Sequence, residues 1–278
     1  MAIVSFWSNS EKETGQTLSS IAVATNMAIQ HNYRILIIST GFQEKTLEKS
    51  FWSEPKKSLT ASMFGLKQQP GLNSGIEGLV KIIQSNRTSP NIVADYARVV
   101  FKNRLDVLPS PSTSNISAYN EITKYYADLI KVANKDYNLI FIDIDKRMNE
   151  NDKKAILQAS DMVVLTMKQS MESLNAFLEL KEKNDVLKNE ILLIGKYDRY
   201  SKYNIKNITR YLRTDTYISA IDYNTLFNEA SEEGKVADFF LKYRSIKDKN
   251  DRNVIFIQET DVTCENILAK LKSLQVRT

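Results

Sequence analysis

Eight residues near the N-terminus have the types and spacing of a loop that binds phosphate. They run from Ser10 to Thr17 and read SEKETGQT. A P-loop has the pattern GxxxxGK[ST], in which backbone N–H groups hold phosphates, the lysine neutralises charge and the hydroxyl binds Mg²⁺. Gly15 and Thr17 match, whereas Ser10 replaces the first glycine and Gln16 the lysine. Taken alone, the motif favours a loop that only caps the next helix over a phosphate site.

The charges around this loop are unusual for a phosphate site. Glu11 and Glu13 flank it, and Lys12 is its one basic residue. Like charges ~4 Å apart at a protein surface repel by about 4 kcal/mol. We therefore expect ATP to bind poorly unless Lys12 turns inward and both glutamates turn outward. The candidate nucleotide-binding residues are Ser10, Lys12, Glu13, Thr14, Gly15, Gln16, Thr17 and Leu18.

An aspartate at the end of an apolar run is the candidate metal ligand. Asp143 follows LIFI, and Asp145 lies two residues further, on the same side if the segment is extended. These carboxylates could hold Mg²⁺ together with the hydroxyl of Thr17. The two carboxylates could equally be surface groups that contact water and bind no metal. Both interpretations stay open.

A basic stripe is the second feature that could bind a ligand. Lys202, Lys206, Arg210 and Arg213 recur at spacings of four, four and three residues, which places them on one face of a helix. Such a face could dock on non-specific nucleic acid or on an acidic membrane or protein surface. An ordinary solvated helix face accounts for the same pattern.

The rest of the chain supplies elements that could position these residues. Uninterrupted apolar runs alternate with helical periodicity, which predicts a doubly wound α/β fold with a mostly parallel sheet flanked by helices. Ligands of such folds bind beyond the carboxyl ends of the strands. The predicted strands cover residues 2–7, 34–39, 105–108, 139–142, 162–166, 191–194, 217–221 and 253–257. The predicted helices cover residues 16–30, 76–84, 92–101, 117–134, 152–160, 171–183, 202–212, 225–243 and 262–274.

Composition excludes several classes of protein. One cysteine, Cys264, excludes an internal disulfide framework and suits a reducing cytosol. One histidine, His31, excludes His-rich metal sites and disfavours Ser-His catalysis. No apolar run reaches the ~18–20 residues that span a bilayer, and the N-terminus lacks the pattern of a signal peptide. We expect a cytoplasmic protein with no transmembrane segment.

Beyond the loop, the sequence resembles the ParA/MinD superfamily of deviant P-loop ATPases, most closely its TadZ/CpaE-like members. The resemblance extends over residues 1–243. YNLIFID, ending at Asp143, resembles the Walker B strand of the family. Further similar segments are SFW at 5–7, the helix at 17–28, LDVLP at 105–109, ASDMVV at 159–164, IDYN at 221–224 and EA at 229–230.

The sequence also departs from the family pattern, since Glu11 stands at the second lysine of the family loop and Asp222 replaces a proline. Gln16 replaces the phosphate-binding lysine, and Ser39 and Gly41 stand where the family has acidic residues after its second strand. The resemblance implies a site for ATP and Mg²⁺ with Thr17 and Asp143 as metal ligands. The departures imply that nucleotide binding is weak or absent and that hydrolysis is weak or lost, so whether the chain is an enzyme stays open.

The resemblance implies two alternative functions. The first is a homodimeric positioning or assembly factor for a membrane machine, such as a Tad/Flp-type pilus or secretion system, recruited to the membrane or a cell pole. The second is a ParA-type DNA or plasmid segregation ATPase that binds non-specific DNA through the basic stripe. The predicted organisation is a ParA/MinD-like P-loop domain at 1–243, a charged linker at 244–252 and a strand–helix extension at 253–278 packed on the same domain.

Overall fold

One eight-stranded sheet organises the chain. The computed structural model describes residues 1–9, 12–53, 75–87, 89–183, 187, 189–214 and 216–275. The strand order is β3-β4-β2-β5-β1-β6-β7-β8, and every neighbouring pair is parallel except β3 and β4. The strands are β1 (Ala2–Trp7), β2 (Ile35–Ser39), β3 (Arg98–Phe101), β4 (Leu105–Leu108), β5 (Leu139–Asp143), β6 (Met162–Met167), β7 (Glu190–Tyr197) and β8 (Ile218–Asp222).

Helices connect these strands and cover the sheet. In the described part of the chain they are α1 (Gln16–Gln30), α2 (Thr46–Phe51), α3 (Ile76–Gln84), α4 (Ile92–Tyr96), α5 (Ile116–Thr123), α6 (Tyr126–Ala133), α7 (Glu150–Ala159), α8 (Met171–Lys183), α9 (Ile205–Leu212), α10 (Thr225–Glu233), α11 (Val236–Tyr243) and α12 (Arg252–Gln275). The alternation confirms the predicted doubly wound α/β class.

The hydrophobic core lies on both faces of the sheet. Successive residues of a strand point to opposite faces, so Leu36 packs in one apolar cluster while Ile37 packs in the other. Ile140 and Phe141 divide in the same way. All these side chains are fully buried, which explains why the strands are continuous apolar runs.

The sheet order brings the loop after β1 to the end of β5. β1 lies between β5 and β6, and Phe6 is in register with Asp143. β2 is the other neighbour of β5, with Ser39 paired to Asp143. The carboxyl ends of three strands therefore meet at one edge of the sheet, which is where doubly wound folds bind ligands.

The predicted strand at 253–257 is wrong, because these residues form the first turns of α12. Asp251 caps the helix by accepting hydrogen bonds from the backbone N–H groups of Asn253 (2.7 Å) and Val254 (3.2 Å). A short apolar run fits a buried helix as well as a strand. α12 packs on α1 and β8, and Asn266 donates to Ser219 Oγ of β8 at 2.9 Å. The predicted division of the chain at 243 and 252 stays a prediction.

Three predicted helices also differ from the structure. The second half of the predicted helix at 92–101 is the edge strand β3, which turns at Asn103 and pairs with β4. The predicted helix at 117–134 divides into α5 and α6, and that at 225–243 divides into α10 and α11 at Gly234, whose φ is 74°. Among the described residues, no helix is both long and apolar enough to cross a membrane.

Candidate functional site

Residues 8–9 and 12–15, the described part of the first loop, lie at a corner between a buried strand and a buried helix. β1 ends at Trp7 and α1 begins at Gln16. Gly15 adopts a left-handed conformation (φ 78°) that glycine accommodates without strain, and its carbonyl accepts the backbone N–H of Ser19 at 2.9 Å. Ser10 and Glu11 lie outside the described residues. The N-terminus of α1, which favours anions, faces the cleft described below.

Gln16, which stands at the lysine position of the motif, is hydrogen-bonded to the strand beside it. Its Nε2 donates to Asp143 Oδ1 at 2.7 Å and to the carbonyl oxygen of Ile144 at 2.8 Å. Its Oε1 is buried and has no hydrogen-bond partner among the described residues. Both donors of this neutral amide are therefore used within the protein.

Thr17 and Asp143 are adjacent, as the candidate metal site requires. Thr17 Oγ1 donates to Asp143 Oδ2 at 2.7 Å. Burial raises the pKa of Asp143 to about 6, although the hydrogen bonds from Gln16 and Thr17 oppose this rise. A hydroxyl beside a carboxylate fits Mg²⁺, which takes one or two protein ligands and completes its shell with water and phosphate. Their role as metal ligands stays a prediction.

Asp145, the second candidate carboxylate, is engaged by other groups. It accepts hydrogen bonds from the backbone N–H of Phe42 (2.9 Å) and from the backbone N–H and guanidinium of Arg147 (2.7 Å each). Burial raises its pKa, but these hydrogen bonds outweigh burial and leave the pKa below its usual value. Arg147 also lies 3.6 Å from Glu44. Asp145 is therefore an ion-pair partner rather than a free ligand.

Ser39 and Gly41 leave the end of β2 without a carboxylate. The hydroxyl of Tyr126 donates to the Ser39 carbonyl at 2.9 Å, and the backbone N–H of Gly41 donates to Ser39 Oγ at 3.2 Å. Both residues are buried and line the cleft. The nearest acid that follows them in the chain and lines the cleft is Glu44, whose side chain is largely exposed.

These residues surround a cleft of about 280 Å³, here named the nucleotide cleft. It brings together all the predicted nucleotide-binding residues except Ser10, which is not described, and Lys12, which is exposed and not part of its lining. The charged side chains that line the cleft are the acids Glu13, Glu44, Asp143 and Asp145 and the bases Lys146, Arg147 and Lys196. With four acids and three bases, the described lining carries no excess of positive charge for a polyphosphate.

Lys196 is a cleft residue that the loop motif did not indicate. It follows Gly195 on β7 and has a left-handed backbone conformation (φ 52°). A Cβ atom added to Gly15 would lie 3.2 Å from Cγ of Lys196. A Cβ at Gly195 would lie 2.1 Å from the Thr14 carbonyl oxygen. β7 therefore packs directly against the loop. Glycine in a strand often marks such a close approach of backbone, and this is the signal that could have identified the contact.

The basic stripe lies away from the nucleotide cleft. Lys206 and Arg210 are on α9, Lys202 precedes the helix, and Arg213 ends it in a left-handed conformation. All four side chains are exposed, and none lines the nucleotide cleft. Arg199, a nearby basic residue, instead forms ion pairs with Asp222 and Glu259.

The strand order and the flanking helices define a fold of the ParA/MinD P-loop type. The structure is similar to that of a ParA family ATPase from Chlorobium tepidum TLS, with a TM-score of 0.67 and 14% identity over 94% of this chain and 96% of that one. It is also similar to the septum site-determining protein MinD of Pyrococcus horikoshii OT3 complexed with Mg-ADP (TM-score 0.64, 14% identity, 97% and 98% covered).

A third similar structure is a putative plasmid partition protein from Borrelia burgdorferi B31 bound to AMPPNP. Its TM-score is 0.59 and its identity 18%, with 98% of each chain covered. No protein-family model matches the sequence, and no curated protein matches it either. At these sequence identities, the structural similarity establishes the fold alone. The closer resemblance to TadZ/CpaE-like members of the superfamily stays a prediction.

Proposed function

We propose that this chain is a ParA/MinD-fold positioning or assembly factor whose nucleotide site binds ATP weakly and hydrolyses it slowly or not at all. The observation that carries the proposal is the bridge from Gln16 to Asp143 and Ile144. A neutral amide at the lysine position removes the cation that would face the phosphates. One of its two hydrogen bonds goes to the carboxylate that would otherwise hold Mg²⁺, and the other goes to the Ile144 carbonyl.

The missing acids support the same proposal. Ser39 and Gly41 offer hydroxyl and backbone groups but no carboxylate, so nothing at these positions can orient an attacking water as a general base. We infer that the protein acts through its surfaces. A homodimer that meets across the nucleotide face and helps to place a membrane machine, such as a Tad/Flp-type pilus or secretion system, fits this inference. Membrane or polar recruitment would then require a partner.

Calorimetric titration with ATP and ADP, each with and without Mg²⁺, tests this proposal together with a phosphate-release assay. We expect dissociation constants above ~100 μM and no Mg²⁺-dependent gain of more than a few fold. Brisk hydrolysis that is abolished by Lys12→Ala would contradict the proposal.

A second candidate function is DNA segregation through the basic stripe. The exposure of Lys206, Arg210 and Arg213 favours it, because no ion pair among the described residues engages these three side chains. Binding through phosphate contacts would weaken steeply with salt. The triple alanine variant of Lys202, Lys206 and Arg210 should then lose affinity for long duplex DNA by about tenfold or more in a gel-shift or anisotropy assay. No binding by the unmodified protein at 50 mM salt would remove this candidate.

A further inference from the structure

Two loops lie side by side at the rim of the nucleotide cleft. The β2 loop covers residues 40–45, between β2 and α2, and the β5 loop covers residues 144–149, between β5 and α7. β2 and β5 are adjacent in the sheet, so the loops leave it together. Glu44 of the β2 loop and Asp145 and Arg147 of the β5 loop line the cleft. A movement of either loop would therefore change the shape of the site.

Thr40 joins the two loops where they leave the sheet. Its backbone N–H and its hydroxyl both donate to the carbonyl oxygen of Asp143, each at 3.1 Å. The same hydroxyl oxygen accepts the backbone N–H of Asp145 at 2.7 Å. Thr40 is fully buried. Opening the loops here would leave buried polar groups without partners, which costs free energy.

A second set of contacts joins the loops nearer the cleft. The carboxylate of Asp145 is shared, because it accepts the backbone N–H of Phe42 from the β2 loop and the guanidinium of Arg147 from its own loop. Arg147 also reaches the β2 loop, with Nη2 3.6 Å from Glu44 Oε1 and the guanidinium carbon 5.6 Å from the centre of the Phe42 ring. We name Phe42, Glu44, Asp145 and Arg147 the loop lock.

Two tyrosines hold the β2 loop from its other side. The hydroxyl of Tyr119 on α5 donates to the carbonyl oxygen of Thr40 at 2.7 Å, and its ring centre lies 5.0 Å from that of Phe42. The hydroxyl of Tyr126 on α6 donates to the carbonyl oxygen of Ser39, the last residue of β2. Both tyrosines are fully buried. The β2 loop is thus fixed between the β5 loop and two helices.

These contacts bear on whether nucleotide can switch the rim. Nucleotide switches act on loops that become ordered by contacts to phosphate and Mg²⁺. The contacts of the loop lock join groups of the protein to one another and require neither. A ligand shifts a conformational equilibrium only by its difference in affinity for the two states. A second state of this rim would first have to break the buried hydrogen bonds of Thr40 and Asp145.

We propose that the loop lock keeps the rim of the nucleotide cleft in one conformation, whether or not the cleft holds nucleotide. The inference deepens the proposed function, on which its consequence rests. A positioning factor that works without hydrolysis would present the same face to a partner at all times.

Hydrogen exchange of the full chain, followed by mass spectrometry, tests the proposal. Arg147→Ala and Asp145→Ala change the β5 loop, and exchange is measured in the β2 loop, which is distant in sequence. Asp145→Ala removes the acceptor of the Phe42 N–H, and Arg147→Ala leaves that acceptor in place and is the milder variant. The matched control is Lys146→Ala. Lys146 lines the same cleft, is exposed, and forms no ion pair within the described part of the chain.

We expect the lock variants to speed up exchange in the β2 loop of the nucleotide-free protein. The increase should be about tenfold in Asp145→Ala and about threefold or more in Arg147→Ala, because a hydrogen bond to a charged group is lost. Lys146→Ala, an equal loss of positive charge, should leave this exchange unchanged. Addition of about 5 mM Mg-ATP should leave both loops unchanged in the unmodified protein and in Gln16→Lys, which restores the lysine of the motif.

Unchanged exchange of the β2 loop in both lock variants would overturn the proposal, as would an equal increase in Lys146→Ala. Protection of either loop by Mg-ATP of more than about threefold would also overturn it, since the rim would then respond to nucleotide. Failure of the proposed function has a different signature. Calorimetry would then show tight binding of Mg-ATP, or the phosphate-release assay brisk hydrolysis, while the nucleotide-free loops exchange as predicted here.

Discussion

At the scale of single residues, Gln16 and Asp143 determine what the nucleotide cleft can do. A buried carboxylate costs free energy when it is ionised, and the two hydrogen bonds from Gln16 and Thr17 compensate only part of this cost. The pKa of Asp143 is accordingly raised to about 6. Near neutral pH the cleft therefore contains a carboxylate that is stabilised by a neutral amide and a hydroxyl.

The raised pKa of Asp143 predicts a pH dependence of stability. The native protein binds the Asp143 proton more tightly than the unfolded chain, so this group stabilises the protein below about pH 4 and that contribution is lost as pH rises to about 6. Asp143→Asn removes the dependence while keeping a side-chain oxygen for Gln16. A tenfold change in proton affinity is worth about 1.4 kcal/mol. Between pH 4 and pH 7, the free energy of unfolding of the variant should therefore rise by on the order of 3 kcal/mol relative to that of the unmodified protein.

Urea unfolding of both proteins at pH 4, 5, 6 and 7 measures this difference. A difference in unfolding free energy that is the same at all four pH values would contradict a raised pKa at this position.

At the scale of elements, the parts that could be predicted from sequence are the buried strands. β2 and β5 each contain four consecutive apolar residues, and β1 is apolar except for Ser5, because helices cover both faces of the sheet. This pattern can be recognised in the sequence without a structure. β3 was predicted as part of a helix, because its apolar run is only three residues long and directly follows α4 in the chain. The start of α12 could not be predicted, because its short apolar run fits both a strand and a helix.

The contact between β7 and the loop gives a prediction at the same scale. Gly195→Ala would force a methyl group to within 2.1 Å of the Thr14 carbonyl oxygen, so either the loop or the strand must move. Overpacking of this kind costs about 1–3 kcal/mol. We expect a loss of thermal stability and altered hydrogen exchange in the loop.

Gly75→Ala is the control for this prediction. It introduces an alanine at φ 80° and ψ −160°, a strained backbone conformation, but among the described residues the new methyl group meets only Glu77 Oε2, at 3.5 Å. It can lose stability through backbone strain, but hydrogen exchange in the loop between β1 and α1 should be unchanged, and this separates it from Gly195→Ala. A Gly195→Ala variant with the stability and the loop exchange of the unmodified protein would disprove the contact.

At the scale of the whole molecule, α12 completes one of the two apolar clusters. Phe256, Ile257, Ile267 and Leu268 are buried in the cluster that also contains residues of α1 and β5. The sequence predicted that the C-terminal segment packs on the preceding domain, but it could not identify which surface the segment covers. That depends on long-range contacts to α1 and β8, for which no local pattern exists.

Truncation after Asp251 tests the contribution of α12. Each buried apolar side chain that is removed costs about 2–5 kcal/mol of stability. The summed cost for several such side chains exceeds the total stability of an ordinary domain. We expect the truncated chain to lose cooperative thermal unfolding in circular dichroism and to aggregate. A control chain that ends at Gln275 should behave like the full chain. Cooperative unfolding of the shorter chain at an unchanged midpoint would contradict a structural role for α12.

Gln16 is the residue through which we expect the nucleotide cleft to lose affinity for ATP, because it is neutral where the P-loop pattern has a lysine. Calorimetric titration of Mg-ATP into the unmodified protein, Gln16→Lys and Gln16→Met tests it most directly. The lysine restores a cation at the start of α1, whereas the methionine removes the bridge to Asp143 without adding charge. We predict that Gln16→Lys binds Mg-ATP at least tenfold more tightly than the other two proteins. Equal affinity in all three proteins, or micromolar binding by the unmodified protein, would contradict the claim.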